Sequence, residues 1–185
     1  MTLKHPPSKW LGILLLVLLP WLASAQSKEY QIKAAFLFNF AQFVQWPAAA
    51  FADTNAPFRI GILGEDPFGS ALAETVQGES IDNHKIVITR SQHLEDLHDC
   101  QMIFIGKSEK SRVPEVLTAL DSKPILKVGE TPGFVEHGGS INFYLDGNKV
   151  RFEICPDKAR VDGLKISSQL LSVGKIVEAR KEDKP

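Results

Sequence analysis

Apolar residues in this chain fall into short runs separated by turn-forming residues, and the period of the runs alternates along the sequence. Phe58 to Leu63 is an apolar run between Pro57 and Gly64, which predicts a buried strand. Lys85 to Arg90, carrying Ile86, Val87 and Ile88, predicts a second strand, Met102 to Ile105 a third that ends at Gly106, and Pro124 to Val128 a fourth. Between them lie two segments of helical character. Pro67 to Gln77 has Asp66 as its expected N-cap and Pro67 at the first helical position, and Ser111 to Leu120 follows the third strand. The last third reads differently. Thr131 to Tyr144 gives a turn and a strand, Asp146-Gly147-Asn148 a hairpin turn, and Lys149 to Ile154 a second hairpin strand. A closing helix over Ser167 to Val177 is expected from the spacing of Leu170, Leu171, Val173, Ile176 and Val177, with a hydroxyl of Ser167-Ser168 as its cap. Short apolar strands alternating with helices predict an α/β fold. The expected form is a single-domain three-layer sandwich: a mostly parallel central sheet, an antiparallel edge hairpin and helices on both faces.

Ahead of these elements, Glu29 to Trp46 is unusually aromatic and stops at Pro47, which predicts a helix. Phe36, Phe40 and Phe43 recur at helical spacing on one stripe, and Phe38 falls elsewhere on the wheel. A helix apolar nearly all round is buried on more than one side. The four phenylalanines therefore belong either to one aromatic core or to a face that meets a second copy or a partner.

The N-terminus adds a compartment. Lys4 and Lys9 precede an apolar run from Trp10 to Leu22, followed by Ala23-Ser24-Ala25. A positive flank, a short apolar core and a small-residue ending describe a cleaved signal peptide over residues 1–25, with the mature chain beginning at Gln26. The run is shorter than the roughly 20 apolar residues a membrane-spanning helix needs. The rest divides into one domain over residues 26–180 and a charged tail over 181–185. Formal net charge is −1 for the 185-residue chain, and loss of the two leader lysines makes it more acidic still. That argues against nucleic acid as a partner, which calls for a basic patch.

Candidate chemistry is sparse. Gly61-Ile-Leu-Gly64-Glu-Asp-Pro-Phe-Gly69 sits where a dinucleotide loop would sit, but its glycine spacing is wrong and Glu65 and Asp66 would repel a pyrophosphate. A tight strand-to-helix turn is the simpler reading. If a small ligand binds, it does so outside the carboxyl ends of the strands. There Gly64, Glu65, Asp66 and Phe68 would face Gly106, Lys107, Ser108 and Glu109. His84, His93, His98 and His137 show no metal-ligand spacing and read as surface or turn residues. No Ser, His and acid set and no Walker-type loop can be singled out, so neither a catalytic residue, a metal nor a cofactor is expected. Arg151 and Glu153 share one face of their strand, opposite Phe152 and Ile154; that face is either solvated or a partner contact. The two cysteines, Cys100 and Cys155, are open to two readings: a disulfide, as befits an exported protein, or two buried free thiols.

Three blocks together carry a resemblance: Tyr30 to Pro47, Ile60 to Gly69, and Gly163-Leu-Lys-Ile-Ser-Ser-Gln-Leu-Leu171. With Cys100 to Gly106 and the stretch from Gly133 to Ile154, they make the chain similar to the YfiR-like family of exported bacterial proteins, in collinear order over nearly the whole mature chain. The resemblance implies a periplasmic, non-enzymatic repressor that binds the periplasmic sensory domain of a membrane diguanylate cyclase. It would thereby hold down cyclic-di-GMP synthesis and biofilm formation. It also implies a dimer with redox-sensitive disulfides, although two cysteines are too few for two bridges. Two other readings stand beside it: a periplasmic small-molecule-binding sensor acting with a sensor kinase or other membrane partner, and a hydrolase or oxidoreductase.

Overall fold

The computed structural model describes residues 28–178; the leader and the charged tail read from the sequence lie outside the described residues. Residues 28–43 are helical (α1) and run into a two-residue strand, β1 (Val44–Gln45). The strands and helices that follow are β2 (Phe58–Leu63), α2 (Ala71–Val76), β3 (Ser80–Ile81), β4 (His84–Ser91), β5 (Met102–Ile105), α3 (Val113–Ala119) and β6 (Leu126–Gly129). The chain closes with β7 (Ile141–Asp146), β8 (Lys149–Ile154), α4 (Pro156–Val161), β9 (Lys165–Ile166), α5 (Ser168–Val173) and β10 (Lys175–Ile176).

Eight strands form one sheet in the order β10-β8-β7-β6-β5-β2-β4-β3. Every neighbouring pair is parallel except the β3–β4 and β7–β8 hairpins. β1 and β9 make a separate antiparallel pair. The central strands β2, β5 and β6 are covered on both faces, which is why their apolar runs are nearly continuous. Alternate side chains then feed two cores. Ile60, Ile62, Met102, Phe104, Leu126 and Val128 pack with α1, α2 and α5, whereas Leu63, Ile103 and Ile105 pack with α3, Leu97 and Phe134. This is the three-layer α/β sandwich expected from the sequence. Phe134 lies so close over Gly129 and Gly139 that a Cβ at either glycine would collide with its ring.

The differences have local causes. The β7–β8 hairpin is not outermost, because β10 adds beyond β8. The closing helix ends at Val173 rather than Val177: Gly174 adopts an extended conformation, and Lys175 and Ile176 pair with Glu153 and Ile154. Ser167 does cap that helix, its hydroxyl accepting the N–H of Leu170 at 3.2 Å. Asp66 is not a helix cap; it accepts the N–H of Phe68 at 2.7 Å in a local turn, and α2 starts only at Ala71. The buried face of α1 is Tyr30, Lys33, Ala34, Leu37, Phe40 and Ala41, an i, i+3, i+4, i+7 series. Phe36 and Phe43 flank that series. Phe40 is fully buried within its own chain, its ring 5.5 Å from Phe143 and 5.0 Å from Phe152. It therefore belongs to the monomer core and is not available to a dimer or partner face, whereas Phe36, Phe38 and Phe43 are half-buried.

Candidate functional site: a charged cleft over the ends of the parallel strands

Connections leave β2 and β5 in opposite directions, so the carboxyl ends of those strands form the switch point where open α/β sheets hold ligands. Here the two loops close on each other. The N–H of Glu65 donates to Ser108 Oγ at 3.0 Å, and the N–H of Gly106 donates to the Leu63 carbonyl at 3.1 Å. Gly64, at φ +88°, lets the first loop turn tightly; a Cβ there would strike Ser108 Oγ. Asp66 is engaged by Arg90 Nε at 2.5 Å. Phe68 is buried, its ring 5.5 Å from Tyr30 and 4.8 Å from Phe104. Gly64, Glu65, Gly106 and Ser108 thus hold the two loops together, Asp66 is held by Arg90 and the Phe68 N–H, and Phe68 is core.

The open cleft lies farther along the same sheet end, over β6 and β7. Its volume is about 450 Å³. Lys33, from the buried face of α1, sits between Glu29 and Glu130, the latter at 2.6 Å. Glu130 follows directly after β6, and its side chain is only 1 % exposed. The Tyr30 hydroxyl donates to the same carboxylate, 3.1 Å from each oxygen. Burial and then the Glu130 charge hold the Tyr30 phenol well above its usual range, so it stays protonated. Lys33 Nζ also lies 4.5 Å from the centre of the Tyr30 ring, a cation–π contact.

On the far wall Asn142 Nδ2 donates to Glu153 Oε1 at 3.3 Å, and Lys175 lies 3.6 Å from the same carboxylate. Asn142 Oδ1 is buried without a hydrogen-bond partner among the described residues. Lys107 stands at the mouth, 3.9 Å from Glu29 and 3.8 Å from Glu130. Lys107 and Lys175 are 58 % and 64 % exposed and their three carboxylate contacts are long, so each ammonium group is placed to turn toward an incoming anionic group. A second groove of about 680 Å³ adjoins the cleft and is rimmed by the exposed Ile32 and Leu145. The arrangement is a charged cleft in which Lys33, Lys107 and Lys175 face Glu29, Glu130 and Glu153, beside an apolar rim.

Of the residues singled out from the sequence, Lys107 and Glu153 come to this cleft. Arg151 is exposed on β8 opposite Tyr144 and does not line it. Sequence reasoning missed Tyr30, Lys33, Glu130, Asn142 and Lys175. One signal was present: Lys33 interrupts the buried face of an otherwise apolar helix, and such a lysine needs a buried carboxylate.

Elsewhere, Lys127 in the middle of β6 pairs with Asp162 at 2.6 Å, both side chains fully buried. The N–H of Ser122 donates to the other Asp162 oxygen at 3.1 Å. Cys100 and Cys155 are both buried and free, the second of the two readings open in the sequence. Burial pushes the Cys100 thiol up to about 11, which keeps it protonated and unreactive at neutral pH. His84 stacks on Phe51 at 4.1 Å, its Nδ1 2.5 Å from the Ala56 carbonyl, away from the cleft. Among the described residues there is no group of three His, Cys, Asp or Glu able to hold a metal, and no helix long and apolar enough to cross a membrane.

Residues 30–175 match the model of a family described as YfiR/HmsC-like. No curated protein matches the chain. Among solved structures, the ABC domain in complex with L-Trp from Streptococcus pneumonia is similar at 13 % identity and a TM-score of 0.47. The alignment covers 65 % of this chain and spans only 55 % of that one. A likeness this distant carries no argument about the site.

Proposed function

This chain belongs to the YfiR/HmsC-like family, and on that premise we propose that it is a periplasmic regulatory protein acting by contact with a membrane signalling protein. The finer reading is that it docks on the periplasmic sensory domain of a diguanylate cyclase and represses it, limiting cyclic-di-GMP and biofilm formation. The family is regulatory rather than catalytic, which favours binding over turnover. The observation that carries docking is the apolar rim of Ile32 and Leu145 beside the exposed lysines of the cleft, Lys107 and Lys175. Exposed apolar residues around a charged patch make a protein-docking surface, apolar contact giving affinity and charge giving orientation.

The test is a pull-down from solubilised inner membrane with the mature protein as bait. Recovery of a cyclase or sensor kinase, lost with Leu145→Asp and Ile32→Asp, supports docking at this rim. Cellular cyclic-di-GMP measured with and without the gene then separates the cyclase from other partners, because unchanged levels would remove it.

One observation favours a second reading, a small-molecule sensor: Asn142 Oδ1, an unpartnered buried acceptor, belongs to a residue lining the cleft. A thermal-shift screen tests it, since a ligand present at 100 times its Kd stabilises by about 2.7 kcal/mol. A hit abolished by Asn142→Leu places the ligand in the cleft.

A further inference from the structure

β7 runs on past the strand beside it. β6 pairs with it only at Ile141 and Asn142, so Phe143 to Asp146 have no neighbouring strand on the cleft side. Two features show which backbone groups turn that way. Asp146 and Lys149 close a two-residue hairpin through Gly147, at φ 59°, and such closing residues bond to each other. Farther along, the Ile154 carbonyl accepts the N–H of Val177 at 2.8 Å, so Ile154 bonds away from β7, and its partner Ile141 bonds away from β8. Bonding sides alternate along a strand, so Phe143 and Leu145 also turn their N–H and C=O groups away from β8. β6 ends at Gly129, opposite Asn142, and the chain leaves its line in a series of turns. The Phe143 carbonyl and both Leu145 backbone groups are thereby left without a partner among the described residues. The cleft of about 450 Å³ lies where β6 would have continued, between β7 and Lys107. An uncovered edge of this kind is a template for another strand.

We infer that the cleft takes an extended peptide segment of the partner as an added strand, laid along β7 in the line of β6. The inference rests on the docking reading above and names the part of the partner that docks. Bonds to the Phe143 carbonyl and the Leu145 backbone supply affinity for any extended chain, and side chains at alternate positions select among sequences. Residues side by side in neighbouring strands project to one face. Leu145 shares the face of Phe143, which packs on α1, so the segment's residue beside Leu145 enters the groove rimmed by Ile32 and is apolar. The residue beside Tyr144 falls on the opposite face, which Asn142 and Glu153 share. There Asn142 Nδ2 is committed to Glu153, and Asn142 Oδ1 is buried without a partner among the described residues. A hydroxyl or amide at that position donates to Oδ1 and removes the cost of leaving it unpaired. On the facing wall Lys107 meets a carboxylate of the same segment.

The test follows the Leu145 amide by hydrogen exchange in the mature chain, with heptapeptides selected from a random phage-displayed library as the probe. In the free chain this N–H is expected to exchange fast, whereas those of Tyr144 and Asp146, bonded to β8, are protected. A bound peptide is expected to slow Leu145 exchange at least tenfold. Methylating the peptide's amides one at a time is expected to weaken binding at alternate positions only, the mark of an added strand. Leu145→Pro removes an N–H that pairs with nothing in the free chain, which an edge tolerates, and is expected to weaken binding at least tenfold. Leu145→Ala keeps the N–H and is expected to lose less. If Leu145→Pro fails to fold, the exchange and methylation results decide alone. Peptides that bind without slowing Leu145, or a library that yields none that slows it, overturn the inference. Failure of docking reads differently. A membrane partner recovered by pull-down whose domain leaves Leu145 exchange unchanged keeps the docking reading and removes the added strand. Peptide protection with no membrane partner recovered keeps the strand site and removes that partner.

Discussion

Lys33 and Lys127 are both buried lysines paired with a carboxylate at 2.6 Å, yet the two pairs sit in different surroundings. Lys127 has one acidic partner, Asp162, sealed between β6 and the end of α4, and its geometry is that of an ion pair rather than a well-aligned hydrogen bond. Lys33 has two, Glu29 and Glu130, with the Tyr30 hydroxyl on the same carboxylate and Lys107 arriving from the cleft mouth. A sealed single pair has nothing to compensate if one member is lost, and little net gain over a well-packed apolar pair. A shared cluster redistributes. The difference marks the first as a device that fixes one packing arrangement and the second as a site that can accept a new charge.

Breaking the sealed pair is expected to have the largest effect. Lys127→Met leaves Asp162 buried without its cation and should cost about 3–5 kcal/mol at pH 7, read by urea unfolding. The double variant Lys127→Met with Asp162→Leu should recover most of that loss, because no uncompensated charge remains. The pH dependence carries the sign. Burial, only partly offset by Lys127, raises the Asp162 carboxyl above its ordinary value. A carboxyl raised on folding contributes stability that is full below the unfolded pKa of about 3.9 and fades as pH rises through the folded value. Removing Lys127 raises it further, so the deficit of Lys127→Met should be smaller at pH 4 than at pH 7. A deficit that is flat with pH, or costs that simply add in the double variant, would refute the sealed-pair account.

Breaking the shared cluster should cost less. Glu130→Gln leaves Lys33 paired with Glu29 and gives the Tyr30 hydroxyl an amide oxygen to donate to, so about 1–3 kcal/mol is expected by the same unfolding measurement. If Glu130→Gln cost as much as Lys127→Met, the cluster would not be redistributing its charge.

The two lysines also show what a sequence can and cannot reveal. The strands Phe58–Leu63 and Met102–Ile105 were legible to the residue, because strands covered on both faces leave near-continuous apolar runs bounded by Pro or Gly. The end of the last helix was not. Ile176 and Val177 fit a helical period as well as a strand, and only the pairing of β10 on β8 decides between them. The aromatic stripe of α1 showed only part of the buried face: Phe36 and Phe43 pack on the core from its flank, and the face that turns fully inward runs through Tyr30, Lys33, Leu37 and Phe40. The cleft was legible only in its location at the strand ends. Its charged residues come from α1, the β5 and β6 ends, β8 and β10, and Lys33 and Glu130 lie 97 positions apart, so no local spacing joins them.

Lys107→Glu sharpens the comparison with the least disturbance of the fold. The side chain is more than half exposed and its contacts to Glu29 and Glu130 are long, so stability should change by less than about 0.5 kcal/mol. Binding should respond far more, because a negative charge beside Glu130 opposes any anionic group of a partner or ligand entering the cleft. At least a tenfold loss of affinity is expected by calorimetry with the soluble domain of the membrane partner proposed above, steeper at low salt, where charge steers association. Lys175→Glu, on the opposite wall, should do the same if the group spans the cleft. An effect at Lys107 alone would move the contact toward the groove rimmed by Ile32 and Leu145. No effect at either lysine would reduce the charged floor to a second structural clamp, no different in kind from Lys127 and Asp162.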